Sequence, residues 1–253
     1  MKKIIFFVIV TLLYSGACVA KDKGIFRLVT VNFPPYYGEE MLNGGWVSEI
    51  VKAALEAKDY EVEIRFIEWK KALEVTQTGS YDALLGAYFT RERADHYYFS
   101  APIAQARTGF FKRKDKKIRF KKLEELKDYK IGVVEGYATS KKFDAADYLD
   151  KVKVKNLDEG LKKLYNEEID LMADSRAVGK YRLKILEKEI PGIRKKIEFI
   201  RPVLAMNKLY VAVSKNATNA NRKLMDFNRG FRKILRNRTY RKIKRKHRGY
   251  PRK

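Results

Sequence analysis

From Ile25 to Ala87 the hydrophobic period alternates between strand and helix, and this alternation constrains the fold more than any other feature of the chain. Ile25 to Val31 is an apolar, β-branched run that stops at Asn32-Phe33-Pro34-Pro35, as a strand entering a loop does. Val47, Ile50, Val51, Ala54 and Leu55 recur at helical spacing behind the turn at Gly44-Gly45. Val62, Ile64 and Phe66 alternate, Trp69, Ala72, Leu73 and Thr76 predict a second helix, and Ala83 to Ala87 a third strand. A strand–helix–strand order of this kind predicts a largely parallel sheet covered by helices. The pattern restarts after the basic stretch Lys112 to Lys122. Lys130 to Val134 and Ile169 to Ala173 read as strands around a helix marked by Leu161, Leu164 and Tyr165. Leu209 to Val213 adds a last strand, and Leu224, Phe227, Phe231, Ile234 and Leu235 define the apolar side of a terminal helix. Two α/β units of roughly 100 residues each fit the length.

The first twenty residues do not belong to this pattern. Lys2 and Lys3 precede an apolar run from Ile4 to Tyr14, and Ser15-Gly16-Ala17-Cys18-Val19-Ala20 supplies small residues for a cut after Ala20. This is the arrangement of a cleaved secretory signal peptide, so residues 1–20 are expected to be removed and the protein to be periplasmic. The run is too short to span a bilayer. Lipidation at Cys18 ranks second, because Ser15 stands where lipoprotein signals carry an aliphatic residue. Cys18 is the only cysteine, so the processed chain has no thiol for a disulfide, a zinc-thiolate site or a nucleophile. With His96 and His247 as the only histidines, no metal site is expected, and no cofactor.

The formal net charge of +25 requires a nucleic-acid reading to be weighed. Residues 229–253 contain thirteen Lys or Arg and no Asp or Glu. The apolar spacing just described favours a helix with a basic solvent face over a phosphate-binding tail, and export separates the protein from cytoplasmic nucleic acid. Contact with anionic lipid headgroups or lipopolysaccharide is the use of this charge that export permits.

Open α/β sheets bind ligands beyond the carboxyl ends of their strands. At those positions lie Phe33 to Tyr37, Glu68-Trp69, Tyr88 to Arg93, Gly136 to Thr139 and Asp174-Ser175, with Gly86 near the end of its strand. Aromatic walls, a cation and a carboxylate suit a zwitterion. The stretch Thr90-Arg91-Glu92-Arg93 followed by Phe99-Ser100-Ala101-Pro102 resembles the signature of the bacterial family 3 extracellular solute-binding proteins, the polar-amino-acid receptors of ABC transporters. Other segments agree in order: the Pro-Pro-aromatic loop, Gly45-Trp46 with Glu49, Gly79-Ser80-Tyr81-Asp82, Ile131 to Gly136, Ile169 to Asp174, and Asn237 to Ile243.

The resemblance implies a two-lobed periplasmic-binding-protein fold, each lobe a mostly parallel sheet flanked by helices, joined by two hinge strands. Lobe 1 would comprise 21–106 and 207–253, and lobe 2 would comprise 107–206. It implies a monomeric receptor that closes on a small ligand, an amino acid or related carboxylate, and delivers it to an inner-membrane permease. Arg93 corresponds to the arginine that holds the ligand carboxylate, the alternative being an exposed ion pair with Glu92. Asp174 corresponds to the acid that receives the α-ammonium, the alternative being a helix cap. Phe33 and Trp69 occupy the positions that sandwich the ligand side chain, the alternative being core packing. Gly86, Tyr88, Tyr137 and Thr139 complete the expected ligand-binding set. Asp82 and Asp170 match strand-leading acids with a structural role. Two positions depart from the pattern: Tyr88 replaces a small hydroxyl residue, and Ala138 stands where Thr is frequent. A phenol at Tyr88 would narrow the pocket and favour a ligand other than a standard amino acid. No catalytic residue is assigned. An enzyme on the same fold, a cyclohexadienyl or arogenate dehydratase using Glu68, Glu135 or Asp174 as the acid, and a ligand-sensing module remain the alternatives.

Overall fold

The structure, a computed structural model, describes residues 24–248; the predicted signal peptide, Cys18 and residues 249–253 lie outside them. β1 (Ile25–Thr30) is paired in parallel on both sides, so Phe26, Leu28 and Val29 are fully buried. It leads through a short 3-10 turn to α1 (Trp46–Glu56), whose Val47, Ile50, Val51, Ala54 and Leu55 all point inward, as their spacing requires. β2 (Glu61–Phe66) lies at the edge, with half-buried Val62, Ile64 and Phe66 alternating with exposed residues. α2 (Trp69–Gln77) returns to β3 (Ala83–Ala87), which is buried along its whole length. α3 (Arg91–His96) and β4 (Tyr97–Phe99) follow.

The chain then leaves this sheet along β5 (Ala104–Arg113) and builds a second: β6 (Ile131–Val134), α4 (Lys141–Asp144), β7 (Lys151–Val154), α5 (Leu157–Tyr165) and β8 (Leu171–Ser175). α6 (Arg176–Leu186), α7 (Ile193–Lys196) and β9 (Ile197–Phe199) complete it. β10 (Ala205–Ser214) comes back, and α8 (Ala220–Arg236) and α9 (Thr239–Lys246) close the described chain. The strand order is β2-β1-β3-β10-β5-β8-β6-β7, with β4 on β10 and β9 on β5. The triplets β2-β1-β3 and β7-β6-β8 are parallel, and the strands between them are antiparallel. β10 serves both sheets: Ala205–Leu209 pair with β5, and Val211–Val213 pair with β3. Two lobes joined by two long strands are therefore the architecture, as the α/β pattern and the resemblance implied.

A matching device sets the first strand of each lobe. In lobe 1, Asp82 accepts from the Arg27 N–H at 2.8 Å and returns its own N–H to the Arg27 carbonyl at 2.8 Å. In lobe 2, Asp170 does the same with Lys130, at 2.9 Å in both directions. These are the structural roles expected for the two acids.

Three details differ from the sequence expectation. The strand predicted at Ile169–Ala173 forms at Leu171–Ser175, because ladder pairing to β5 and β6 starts at Leu171. Asp174 therefore lies inside a buried strand and not beyond it. The terminal helix is two helices, broken where Arg238 takes a φ of +67°, and Leu235 turns outward near the end of the first. The periodicity also missed β4, β7 and β9, which at three or four residues are too short for a period to stand out.

α8 crosses α1 at closest approach through Gly230, where a Cβ would stand 2.8 Å from the Ala54 carbonyl carbon and nearer still to its oxygen. Gly230→Ala is expected to force the helices apart at a cost of about 1–3 kcal/mol. Thermal unfolding checks this: a fall of several degrees is expected, and an unchanged midpoint would show that the helices can slide without loss.

Candidate functional site

The loop after β1 is folded by its own backbone. The Phe33 N–H donates to the Tyr37 carbonyl at 2.9 Å, and the Phe33 carbonyl accepts from Tyr36 and Tyr37. This turn stacks Phe33 against Tyr36 and Tyr37, with ring centroids 5.6 and 5.5 Å apart. Tyr37 in turn lies over Gly86 in β3. Gly86 has a φ of +83°, and any Cβ there would run into the Tyr37 phenol, so glycine is required on both counts. Tyr88 follows β3 and presents its ring edge-on to Phe33 at 6.3 Å. Its hydroxyl is buried near the Thr108 side chain, and desolvation pushes its pKa well above the usual phenol value.

Arg93 is fixed in the first turn of α3, where the Thr90 hydroxyl accepts its N–H at 3.1 Å. Its side chain is 8% exposed and makes no ion pair with Glu92. Nη1 donates to the Tyr88 carbonyl at 3.0 Å and Nη2 to the Gly136 carbonyl at 2.9 Å, while the guanidinium lies 5.2 Å from the Trp69 ring centre. Burial pulls its pKa below the usual value, yet a guanidinium stays charged at neutral pH. Trp69 Nε1 donates to the same Gly136 carbonyl at 3.1 Å. Gly136 belongs to lobe 2, and Arg93 and Trp69 belong to lobe 1, so one carbonyl gathers donors from across the cleft. Two exposed ion pairs bracket this contact, Lys70–Glu135 and Lys155–Glu68, both at 3.1 Å. Such pairs contribute little to stability individually.

Phe33, Trp69, Gly86, Tyr88, Arg93 and Tyr137 line a single cavity with Val31, Tyr37 and Ala138, with about 290 Å³ of empty space including its mouth. The room for water within it is only about 30 Å³, enough for one or two molecules, so the aromatic rings nearly fill it. Phe33 and Trp69 both belong to buried hydrophobic clusters and also face this space. Thr139 and Asp174 do not reach it. Thr139 borders the outer cleft beside Arg93, its N–H held by the Asp144 carboxylate at 3.1 Å and its carbonyl by Asn207 Nδ2 at 2.7 Å. Asp174 borders a neighbouring space with Arg182 and Asn156. Tyr137 lines all three spaces. Its phenol feels the charge of both Asp174 and Arg93, and burial raises its pKa strongly. Tyr137 thus borders both the space that Arg93 lines and the space that Asp174 lines.

Asp174 is not a helix cap. Ser175 holds the N-cap position of α6, and Asp174 Oδ1 accepts only the adjacent Ser175 N–H. Oδ2 is buried without a partner, and desolvation raises the carboxyl pKa to about 7, against the small opposing effect of the Ser175 bond. Tyr37, Tyr88 and Tyr137 lie close enough to feel its charge. Glu68 and Glu135 are exposed at the rim. Tyr37 and the Gly136 carbonyl were missing from the expected set. The Pro-Pro-aromatic loop and the glycine at the end of β6 were the available signals, but a backbone acceptor leaves no mark in residue type.

The sequence matches the model of the bacterial extracellular solute-binding proteins, family 3, over residues 28–250. The chain belongs to this family. No curated protein is significantly similar in sequence. Among solved structures, this solute-binding protein resembles an ancestral arginine-binding protein bound to arginine, at 24% identity, with 89% of this chain and 98% of that chain covered and a TM-score of 0.72. It also resembles a histidine kinase sensor domain with similarity to periplasmic binding proteins, at 21% identity, 87% and 95% coverage and a TM-score of 0.74. A substrate-binding protein of an amino acid ABC transporter aligns at 21% identity, 87% and 97% coverage and a TM-score of 0.69. At these identities the likeness to the three structures establishes the shared fold. Among the described residues no group of three or more His, Cys, Asp or Glu is placed to hold a metal ion, and no helix is long and apolar enough to cross a membrane.

Proposed function

We propose that this family 3 protein is a periplasmic receptor that closes around a small polar ligand, an amino acid or related carboxylate, for delivery to an ABC-transporter permease. The observation that carries the reading is the buried Arg93 guanidinium, held on the wall of an aromatic cavity at the junction of the lobes. A planar fork with a fixed orientation suits a carboxylate. In this reading 21–106 with 207–253 and 107–206 move as two bodies about β5 and β10, working as a monomer, and residues 1–20 direct export. A ligand carboxylate takes over donor capacity that Arg93 now directs to the Gly136 carbonyl. The ligand side chain lies against Phe33 and Trp69. Because Tyr88 and Tyr137 nearly fill the cavity, which has room for about 30 Å³, a ligand enters only as the lobes part or as Tyr137 swings towards Asp174.

A thermal-shift screen of amino acids and small carboxylates tests this. A ligand present at 100 times its dissociation constant adds about 2.7 kcal/mol, which for a chain of this size raises the midpoint by about 5–10 °C. Stabilisation by nucleic acid alone, with none by any carboxylate, would remove the reading.

A second reading rests on Asp174. A buried carboxyl titrating near neutrality is what a general acid needs, and it is the only one of the three candidate acids that the fold buries. Incubation with prephenate or arogenate, followed for aromatic product, separates a dehydratase from a receptor.

A further inference from the structure

After Asp226 the sequence contains no Asp or Glu, and the fold makes this stretch a surface. α8 turns Phe227, Phe231 and Ile234 inward, and α9 buries Ile243 while Lys244 lies 4.9 Å from the Trp46 ring centre. Between Arg229 and Arg248 stand eleven Lys and Arg, every one of them exposed. Among the described residues, Lys246 alone of these has a carboxylate partner, Glu49 at 2.9 Å. The other Glu49 oxygen is taken by His247 at 2.7 Å. Along α9 an open groove is lined by Arg238, Arg241, Lys242, Lys244, Arg245 and Arg248 around Tyr240. None of these cations lines the cavity or its neighbouring clefts, so ligand capture does not explain them. Folding does not explain them either: like charges this close repel one another and oppose compaction, and neutral polar residues would serve as well on a solvent face.

We infer that the α8–α9 surface docks the protein on an anionic phospholipid bilayer, with the interlobe cleft left free. A bilayer fits better than a nucleic acid for two reasons. The charge is spread over two helices without exposed aromatic rings on which bases could stack; Tyr240 is half-buried under Lys244. Leu235, 43% exposed, shares the outward side of α8 with Arg232 and Arg236, and an apolar side chain among arginines suits the boundary between headgroup and acyl chain.

Flotation with vesicles tests the inference, using residues 21–253 so that the apolar N-terminal run cannot itself bind lipid. Every described element lies within Ile25–Lys246, so this chain retains all of them. Vesicles of phosphatidylcholine with phosphatidylglycerol are expected to bind the protein, and vesicles of phosphatidylcholine alone are not. Raising the salt from about 0.05 to 0.5 M should weaken binding at least tenfold, as the screening length shrinks. The triple variant Arg241→Glu, Lys242→Glu, Arg245→Glu should lose at least about tenfold, with an unchanged circular dichroism melt. Should charge reversal impair folding, the three glutamine substitutions and the salt series on the unaltered protein give the same readout. Equal binding to both kinds of vesicle, or salt-independent binding, would overturn the inference. So would an unchanged triple variant, or duplex DNA captured at lower phosphate concentration than the anionic vesicles.

Discussion

Arg93→Ala is expected to weaken binding of the carboxylate ligand by about 30-fold or more, the cost of truncating one partner of a buried, hydrogen-bonded charge pair. The mutation also removes the Nη2 bond to Gly136, but Trp69 Nε1 still donates to that carbonyl, so its acceptor is not orphaned. The Tyr88 carbonyl loses a partner, and a modest fall in the melting point of the ligand-free protein follows. The two effects separate in a titration. Isothermal calorimetry should show affinity lost, while circular dichroism shows the fold retained. Arg93→Lys keeps the charge and loses the fork, so it should recover only part of the affinity. Unchanged affinity in the alanine variant would mean that the guanidinium serves the lobe contact and not the ligand.

Asp174→Asn should change how stability depends on pH. Burial raises the folded-state carboxyl from 3.8 to about 7, so between those values the folded protein holds a proton that the unfolded chain has released. The contribution is therefore fully present below about pH 4, is lost as pH rises through 7, and is flat above that. Its span is of the order of 4 kcal/mol. Relative to the asparagine variant, the protein should lose stability between about pH 4 and 7, and the variant should be the more stable at pH 8. Denaturant midpoints across this range measure the difference directly. Parallel pH profiles for the two proteins would show that Oδ2 finds a partner in solution. If a ligand ammonium meets Asp174, binding must also release a proton below pH 7, and calorimetry in buffers of different ionisation enthalpy detects it. The asparagine variant would bind such a ligand weakly, with no proton release.

The parts of the fold that the sequence made legible share one property: their pattern is local. α1 could be read from Val47, Ile50, Val51, Ala54 and Leu55 because a helix facing a sheet must bury one stripe. β3 could be read from Ala83 to Ala87 because a strand covered on both faces is apolar throughout. The short strands β7 and β9 were not legible, since three or four alternating residues, Lys151 to Val154 and Ile197 to Phe199, are too few to separate from chance. The break between α8 and α9 was missed for a related reason. The apolar positions Leu224 to Leu235 stop short of Asn237 and Arg238, and a left-handed residue carries no hydrophobic signal.

The site divides in the same way. Residue type and position at strand ends were enough to collect Phe33, Trp69, Gly86, Tyr88, Arg93 and Tyr137, which do share one cavity. Which of them faces which group is a property of the closed chain. The sequence by itself determined two α/β units, their family and most of the cavity wall, because hydrophobic period and turn chemistry act over a few residues. The tertiary structure alone decided that Arg93 and Trp69 meet on the Gly136 carbonyl, that Tyr137 borders the spaces of both Arg93 and Asp174, and that Asp174 keeps an oxygen without a partner. Those outcomes depend on which groups are withdrawn from water together. Desolvation is set by neighbours dozens of residues away, and no local pattern encodes it.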